Sequence, residues 1–126
     1  MVTGISGFVG SHPAKHLSSN GWNISGDDLR SPRMECDFYS GDLSDLPALE
    51  VAVKKSAPDV IFHLAGILKS HDYEGLYRAY VLETISLLET ILAVGVVPLV
   101  VIASSSTVYS SGNGSTSLTQ RFCPNH

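Results

Sequence analysis

The chain has 126 residues, 44% of them hydrophobic, which suits one compact domain and leaves no room for a second. Its net charge is −4 and it contains no basic run, which argues against nucleic acid or an anionic membrane as the main partner. The longest apolar run, residues 91–103, is too short to span a bilayer and contains Gly95 and Pro98.

The cysteines and histidines show no metal-ligand pattern. Cys36 and Cys123 lack metal or redox spacing, and the chain starts without a basic, apolar signal peptide, so we expect free thiols and a cytoplasmic protein. His12 and His16 lie one turn apart on a predicted helix. Without a nearby carboxylate we interpret them as solvated surface, and no metal site is predicted.

Strand-like and helix-like segments alternate along the chain, which predicts an α/β fold with a parallel sheet and crossover helices. In chain order, the predicted strands are residues 1–3, 22–26, 36–40, 60–65 and 98–103, and the predicted helices are residues 11–19, 46–56 and 73–94. The apolar runs at 60–65 and 98–103 are interpreted as buried strands. Asp45 is predicted to cap the second helix, and Gly95 to end the third. The first strand is shorter than the usual length of about five residues.

Three glycines, Gly4, Gly7 and Gly10, recur at every third position between the first strand and the first helix. Glycine tolerates positive φ and has no Cβ, so the backbone can turn sharply and approach a pyrophosphate closely. The following helix would present free N–H groups and the positive end of its dipole to the anion. The pattern predicts a phosphate cradle, with an ordinary strand-to-helix turn as the alternative.

An acidic residue after the second strand supports the cradle, because it can accept hydrogen bonds from the ribose hydroxyls of a dinucleotide. Asp28 meets this condition, since its separation from Gly4 is close to the required value of about 20 residues, and we favour it over the adjacent Asp27. A surface loop is the alternative for these two acids. A carboxylate at this place disfavours a 2′-phosphate, so NAD is the predicted cofactor, while Arg30 and Arg33 keep NADP open.

Four motifs carry a resemblance to a known family. In chain order they are Thr-Gly-Ile-Ser-Gly-Phe-Val-Gly-Ser-His (3–12), Gly-Asp-Leu-Ser-Asp (41–45), Pro-Asp-Val-Ile-Phe-His-Leu-Ala-Gly (58–66) and Ser-Ser-Ser-Thr-Val-Tyr (104–109). Together they resemble the extended short-chain dehydrogenases/reductases, whose core members are nucleotide-sugar epimerases and dehydratases. The resemblance implies a Rossmann-type doubly wound parallel sheet with helices on both faces, truncated before the later strands and the substrate domain.

The resemblance also implies site residues. The cofactor-binding set is Gly4, Ser6, Gly7, Phe8, Val9, Gly10, Asp28, Asp42, Leu43, Leu64, Ala65 and Gly66. Within it, Asp42 and Leu43 would lie by the adenine, and residues 64–66 would line the ribose and phosphate path. Ser105 would assist catalysis by hydrogen bonding to the substrate oxygen. The alternative is that the three serines of residues 104–106 satisfy backbone groups at the end of the strand.

The sequence departs from the family in its catalytic pair. The family's general acid/base is a Tyr four residues before a Lys, and no tyrosine of this sequence has a lysine at that spacing. We therefore interpret residues 1–109 as a partial NAD(P)-binding domain and residues 110–126 as a loop or tail before a missing catalytic segment. Ser106 and Thr107 stand where the dehydratases carry an acid-bearing pair, and Tyr80 replaces a small or amide residue of the family.

These observations predict the NAD(P)-binding part of a nucleotide-sugar epimerase or 4-keto reductase, inactive on its own, whose nucleotide-sugar substrate binds to the full-length parent. One alternative is a non-catalytic dinucleotide-binding or redox-sensing module. Another is a truncated sheet too unstable to bind anything, whose exposed strands would aggregate. The family often forms homodimers through a two-helix face, to which the helix of residues 73–94 could contribute.

Overall fold

The computed structural model describes residues 1–67 and 72–104, and five parallel strands in these residues form one sheet. The strands are β1 (Val2–Thr3), β2 (Ser25–Asp28), β3 (Asp37–Ser40), β4 (Val60–His63) and β5 (Leu99–Ile102). The helices are α1 (Phe8–Ser19), α2 (Leu46–Ser56), α3 (Tyr73–Tyr77) and α4 (Glu83–Val94), with a π-helical turn (Arg78–Leu82) between the last two. The strand order β3-β2-β1-β4-β5 places β1 in the centre, which confirms the predicted Rossmann-type architecture.

The sheet separates two apolar clusters. Ala14 of α1 is buried on one face together with Val2 and Ile5. On the other face, α2 and α4 enclose the side chains of Leu49, Ala52, Val53, Ile61 and Leu87, each at most 1% exposed. Burying one such large aliphatic side chain contributes about 1.5–3 kcal/mol, so these clusters hold the helices on both faces of the sheet.

Helix α2 begins and ends where its local chemistry predicts. The Asp45 carboxylate accepts a hydrogen bond from the N–H of Ala48 at 3.2 Å and caps the first turn. Pro47 lies in that first turn, where the missing N–H removes no intrahelical bond. Ala57 ends the helix in the left-handed conformation, with φ at 37°. The prediction for this helix and its cap is therefore confirmed.

The prediction for β2 is wrong at its carboxyl end. Asp27 and Asp28 were expected just past the strand, but both lie within it. Asp27 pairs with Thr3 of β1 on one side and with Tyr39 of β3 on the other. Aspartate is a poor strand former, and this pairing on both sides overrides its intrinsic preference.

The segment 73–94 was predicted as one helix and is interrupted. Between α3 and α4 the N–H of Glu83 bonds to the carbonyl of Arg78, which is the wider spacing of a π-helix. Thr84 adds a side-chain bond, since its hydroxyl donates to the carbonyl oxygen of Tyr80 at 2.9 Å. The apolar periodicity is the same on either side of the turn, so periodicity alone did not reveal it.

Strand β5 was predicted to be buried, and this is also wrong for the described residues. Leu99 is 65% exposed, and Val101 and Ile102 are exposed as well. In the described part of the chain β5 pairs with β4 alone and forms an edge of the sheet. An apolar run cannot reveal whether a further element covers it. The short first strand, by contrast, is confirmed as Val2–Thr3.

Candidate functional site

The glycine loop connects β1 to α1 at the carboxyl end of the central strand. Gly4 adopts a φ of 71°, and a Cβ built on it would lie 2.8 Å from the backbone of Ala65. A Cβ on Gly10 would lie 2.2 Å from the carbonyl oxygen of Gly4, so α1 packs directly on the loop. These two glycines are required by a left-handed conformation and by a close backbone approach.

Helix α1 begins without a side-chain cap. Gly7 is the N-cap residue, and the first turn contains no acidic side chain. The Ser11 N–H bonds to the Gly7 carbonyl at 3.0 Å, whereas the N–H groups of Phe8 and Val9 precede any intrahelical acceptor. This helix end presents donors and the positive end of its dipole, which suits an anion.

Ser6 carries the one buried side-chain polar atom without a hydrogen bond among the described residues, its Oγ. Buried hydroxyls are nearly always paired, so an unpaired one in a glycine loop fits a ligand rich in oxygen acceptors. Ser6 also lines a cavity of about 230 Å³ together with Ser11, Lys15 and Arg33. The residues present therefore fit the phosphate and ribose oxygens of a dinucleotide.

Asp28 is the last residue of β2, and its carboxylate lies against the glycine loop. Its Oδ2 accepts a hydrogen bond from the Ser6 N–H at 2.9 Å. Its Oδ1 accepts a longer one from the Arg30 N–H at 3.3 Å. The structure thus brings the predicted carboxylate and the predicted loop into direct contact.

Asp27 is a buried acid that the sequence analysis did not single out. It is 4% exposed and forms no hydrogen bond through its carboxylate with another described residue. Burial, together with the nearby carboxylates of Asp28 and Asp42, raises the pKa of Asp27 to about 7. Asp27 therefore carries a proton over much of the pH range in which an ordinary aspartate is ionised.

Asp42 and Leu43 follow β3 and differ in their surroundings. The backbone N–H and the hydroxyl of Ser44 donate to Asp42 Oδ1 at 2.8 and 2.7 Å, and these bonds lower the pKa of Asp42. Leu43 is buried in the cluster under α2 and α4. Asp42 is thus exposed at the sheet edge, and Leu43 has only its backbone available to a ligand.

His63 joins β1 to α4 through both ring nitrogens. Its Nδ1 lies 2.8 Å from the Thr3 hydroxyl, and its Nε2 lies 2.9 Å from the Thr84 hydroxyl. Because the Thr84 hydroxyl donates to the Tyr80 carbonyl, it must accept from Nε2, so Nδ1 accepts from Thr3. Burial lowers the pKa of His63, in agreement with a neutral ring.

The predicted cofactor wall, Leu64, Ala65 and Gly66, follows β4 directly. The N–H groups of Leu64 and Ala65 both lie 3.2 Å from the Thr3 hydroxyl oxygen, which accepts from them. Ala65 is also the residue that a side chain on Gly4 would strike. The glycine loop and this segment are therefore adjacent at the carboxyl edge of the sheet.

Other predicted features are surface features or lie outside the described residues. His12 and His16 are exposed, as predicted, and His12 packs edge-on against Phe8 with ring centroids 4.7 Å apart.

Within residues 1–67 and 72–104, no three His, Cys, Asp or Glu side chains form a group suited to a metal ion. None of the described helices has the length and hydropathy needed to cross a bilayer. Ser105, Cys123 and the tail of residues 110–126 lie outside the described residues.

Comparison with known proteins identifies the family. A model of the NAD dependent epimerase/dehydratase family matches residues 1–126. The chain is 31% identical over 113 residues to the mouse (Mus musculus) sterol-4-alpha-carboxylate 3-dehydrogenase, decarboxylating, and 31% identical over 130 residues to the UDP-glucose 4-epimerase of Pisum sativum, each match covering 86% of this chain. The chain belongs to the NAD dependent epimerase/dehydratase family.

A solved structure supports the same assignment. The structure of MoeE5 in complex with UDP-glucose and NAD superimposes with a TM-score of 0.83 at 33% identity, over 98% of this chain and 42% of that one. The chain also spans 30% of the mouse dehydrogenase and 37% of the pea epimerase. It therefore corresponds to well under half of the relatives it matches.

Proposed function

We propose that this chain is the NAD-binding part of a nucleotide-sugar epimerase or 4-keto reductase. Family membership supports the reaction class, and two similar proteins, the UDP-glucose 4-epimerase and the MoeE5 complex with UDP-glucose and NAD, support the substrate class and the cofactor. The nucleotide sugar would bind to the full-length parent.

The observation that carries the proposal is the contact between the Asp28 carboxylate and the Ser6 N–H at 2.9 Å. In this position the carboxylate can accept hydrogen bonds from both hydroxyls of the adenosine ribose. Ser6 Oγ, which lacks a protein partner, would donate to the cofactor. Bound NAD would supply the hydride acceptor, and the role of these residues is to bind and orient it.

The remaining cofactor contacts follow from the backbone. The free N–H groups at Phe8 and Val9 would hold the pyrophosphate, and Gly4, Gly7 and Gly10 let the chain approach it closely. Asp42 and the backbone of Leu43 would border the adenine, and residues 64–66 would border the ribose and phosphates. All of these groups lie at the carboxyl ends of β1 to β4, where open α/β sheets bind ligands.

NADP is the second candidate cofactor, and one observation favours it. Lys15 and Arg33 both line the cavity that Ser6 shares, and a 2′-phosphate would attract their positive charges. Against it, the Asp28 carboxylate would repel that phosphate at short range. We therefore propose NAD as the cofactor of the wild-type chain.

For catalysis, we propose that Ser105 hydrogen-bonds to the substrate oxygen. We also propose that the 126-residue chain alone does not catalyse the reaction. The general acid/base pair of the family, Tyr and Lys at a spacing of four, does not occur in this sequence. We also propose a cytoplasmic location, where free thiols such as that of Cys36 persist.

Calorimetric titration with NAD and with NADP tests the proposal. We expect NAD to bind, and Asp28→Ala to weaken binding about 10- to 100-fold, because hydrogen bonds to a charged group are lost. Gly7→Val should abolish binding by obstructing the loop. Asp37→Ala, which removes an exposed acid from β3, is the matched control and should bind as the wild type does. A folded wild-type chain that does not bind NAD would contradict the proposal.

We also propose that the parent protein forms a homodimer through α4. Ile85, Leu88 and Leu92 are exposed on this helix, and Leu92 is 79% exposed. Apolar rows of this kind mark interaction surfaces. Sedimentation equilibrium of the parent protein should give a dimer for the wild type and a monomer for the Leu88→Lys/Leu92→Lys variant. A monomeric wild type would contradict the proposed dimer.

A further inference from the structure

Tyr80 connects the π-helical turn to residues 64–67, which we call the β4 exit segment. Its hydroxyl donates a hydrogen bond to the carbonyl oxygen of Ile67. Its ring lies against Gly66. The Tyr80 side chain is 51% exposed, so this hydrogen bond, rather than burial, is the main restraint on its position.

Gly66 and Tyr80 are sterically complementary. A Cβ built on Gly66 would lie 2.8 Å from Cε1 of Tyr80, closer than real Cβ atoms approach. The φ of Gly66 lies outside the left-handed region, so its backbone conformation does not require glycine. The space taken by the ring explains the glycine, and the ring cannot withdraw while its hydroxyl keeps the bond to Ile67.

The same turn is attached to the other end of the segment as well. The Tyr80 carbonyl accepts from the Thr84 hydroxyl, which in turn accepts from His63, the residue directly before the segment. The β4 exit segment is thus fastened at its start through His63 and at its end through Ile67. Both attachments lead to the π-helical turn, and turns of this kind are frequent at functional sites.

We propose that Tyr80 is a positioning residue for the cofactor, holding the β4 exit segment in the conformation against which the ribose and phosphates lie. This inference rests on the proposed function, since the family resemblance places Leu64, Ala65 and Gly66 along the cofactor. A segment ordered before binding need not be ordered by the ligand, so affinity is higher.

The first test removes only the hydroxyl. Tyr80→Phe should weaken NAD binding about two- to tenfold, as the loss of one hydrogen bond predicts, and leave the melting temperature unchanged. Amide hydrogen exchange at Gly66 and Ile67 in the free chain should become faster by a similar factor. Tyr77→Phe, at an exposed tyrosine one turn earlier, is the control and should change neither quantity.

The second test is a double-mutant cycle. Gly66→Ala should weaken NAD binding more than Tyr80→Phe does, because the added methyl displaces the ring. In a Tyr80→Ala background the same change should cost little more, since the obstructing ring is gone. Additive effects of Gly66→Ala and Tyr80→Ala would overturn the steric complementarity.

The outcomes separate this inference from the proposed function. If the wild type binds NAD and Tyr80→Phe binds equally, with unchanged exchange at residues 66 and 67, the positioning role fails and the proposed function stands. If the folded wild type does not bind NAD, the proposed function fails and the role of Tyr80 toward the cofactor fails with it. Weaker binding with faster exchange and an unchanged melting temperature supports the positioning role.

Discussion

The Thr3 hydroxyl donates to Nδ1 of His63 at 2.8 Å, and this bond joins the central strand to β4 through side chains. β1 has only two residues, so its backbone ladder supplies few hydrogen bonds to its neighbours. Both side chains are buried, and the Thr3 oxygen also accepts two N–H groups from the segment after β4. Side-chain bonding therefore compensates for the shortness of β1.

Replacing this hydroxyl tests how much it contributes. Thr3→Val keeps the shape of the side chain but leaves Nδ1 of His63 and the partly buried N–H of Ala65 without the hydroxyl that pairs with them. The Leu64 N–H keeps its bond to the Thr3 carbonyl oxygen at 3.3 Å. We expect the free energy of unfolding to fall by about 2–3 kcal/mol in urea titrations. Thr90→Val, at another buried threonine, is the control. Equal losses for the two variants would contradict a special role for Thr3.

His63 should make stability depend on pH in the acid range. Burial lowers the pKa of His63 below its ordinary value of 6.5, so below that pH the unfolded chain binds a proton that the folded chain does not. The contribution is fully present above pH 6.5 and is lost as the pH falls. We expect the difference in unfolding free energy between the wild type and His63→Gln, measured by urea titration, to shrink from pH 7 to pH 5. A difference that stays constant over this range would contradict the prediction.

Asp27 should make stability depend on pH in the direction opposite to His63. Its pKa is raised from 3.8 to about 7, so the folded chain holds the proton more tightly than the unfolded chain does. The contribution of Asp27 to stability is therefore fully present below about pH 4 and is lost as the pH rises through about 7, by up to about 4 kcal/mol. Asp27→Asn should remove this decrease and unfold at higher urea than the wild type at pH 8. A wild type and variant with parallel pH profiles would show that Asp27 is ionised normally.

Two helix ends offer a matched pair of backbone substitutions. Ala57 and Gly95 both end their helices in the left-handed conformation, with φ of 37° and 77°. Ala57→Gly should raise the free energy of unfolding by about 1 kcal/mol, because glycine adopts this conformation without strain. Gly95→Ala should lower it by a similar amount for conformational reasons alone, since nothing lies within 4 Å of the added Cβ. Thermal or urea unfolding measures both, and shifts of the same sign would contradict the explanation.

Local chemistry made some elements predictable. The cap at Asp45 lies directly before the helix it starts, and the glycines of the loop occupy one short stretch, so their spacing was readable in the sequence. β2 was misplaced because two aspartates look like a loop until their partners on both neighbouring strands are known. The π-helical turn was missed because the apolar periodicity does not reveal it, and the bond from His63 to Thr84 beside it joins segments that are distant in sequence.

The candidate site was predictable to a similar extent. The contact between Asp28 and the glycine loop followed from the motif, because both belong to one strand–helix–strand unit. The burial of Asp27 and the unpaired Oγ of Ser6 depend on how neighbouring segments cover them, which a single sequence does not encode locally. The complementarity of Gly66 and Tyr80 required knowledge of how the turn before α4 faces the sheet.

The central place of β1 also governs the order in which the chain can fold during synthesis. β1 (Val2–Thr3) is synthesised before its partner β4, which begins at Val60, so the sheet cannot close around β1 until that distant strand has also left the ribosome. The unit of β1, α1 and β2 has its contacts close in sequence and can form early, whereas pairing with β4 must wait for a distant segment. Until β4 is in place, the edge of β1 that faces it is unpaired and is open to pairing with a strand of another molecule.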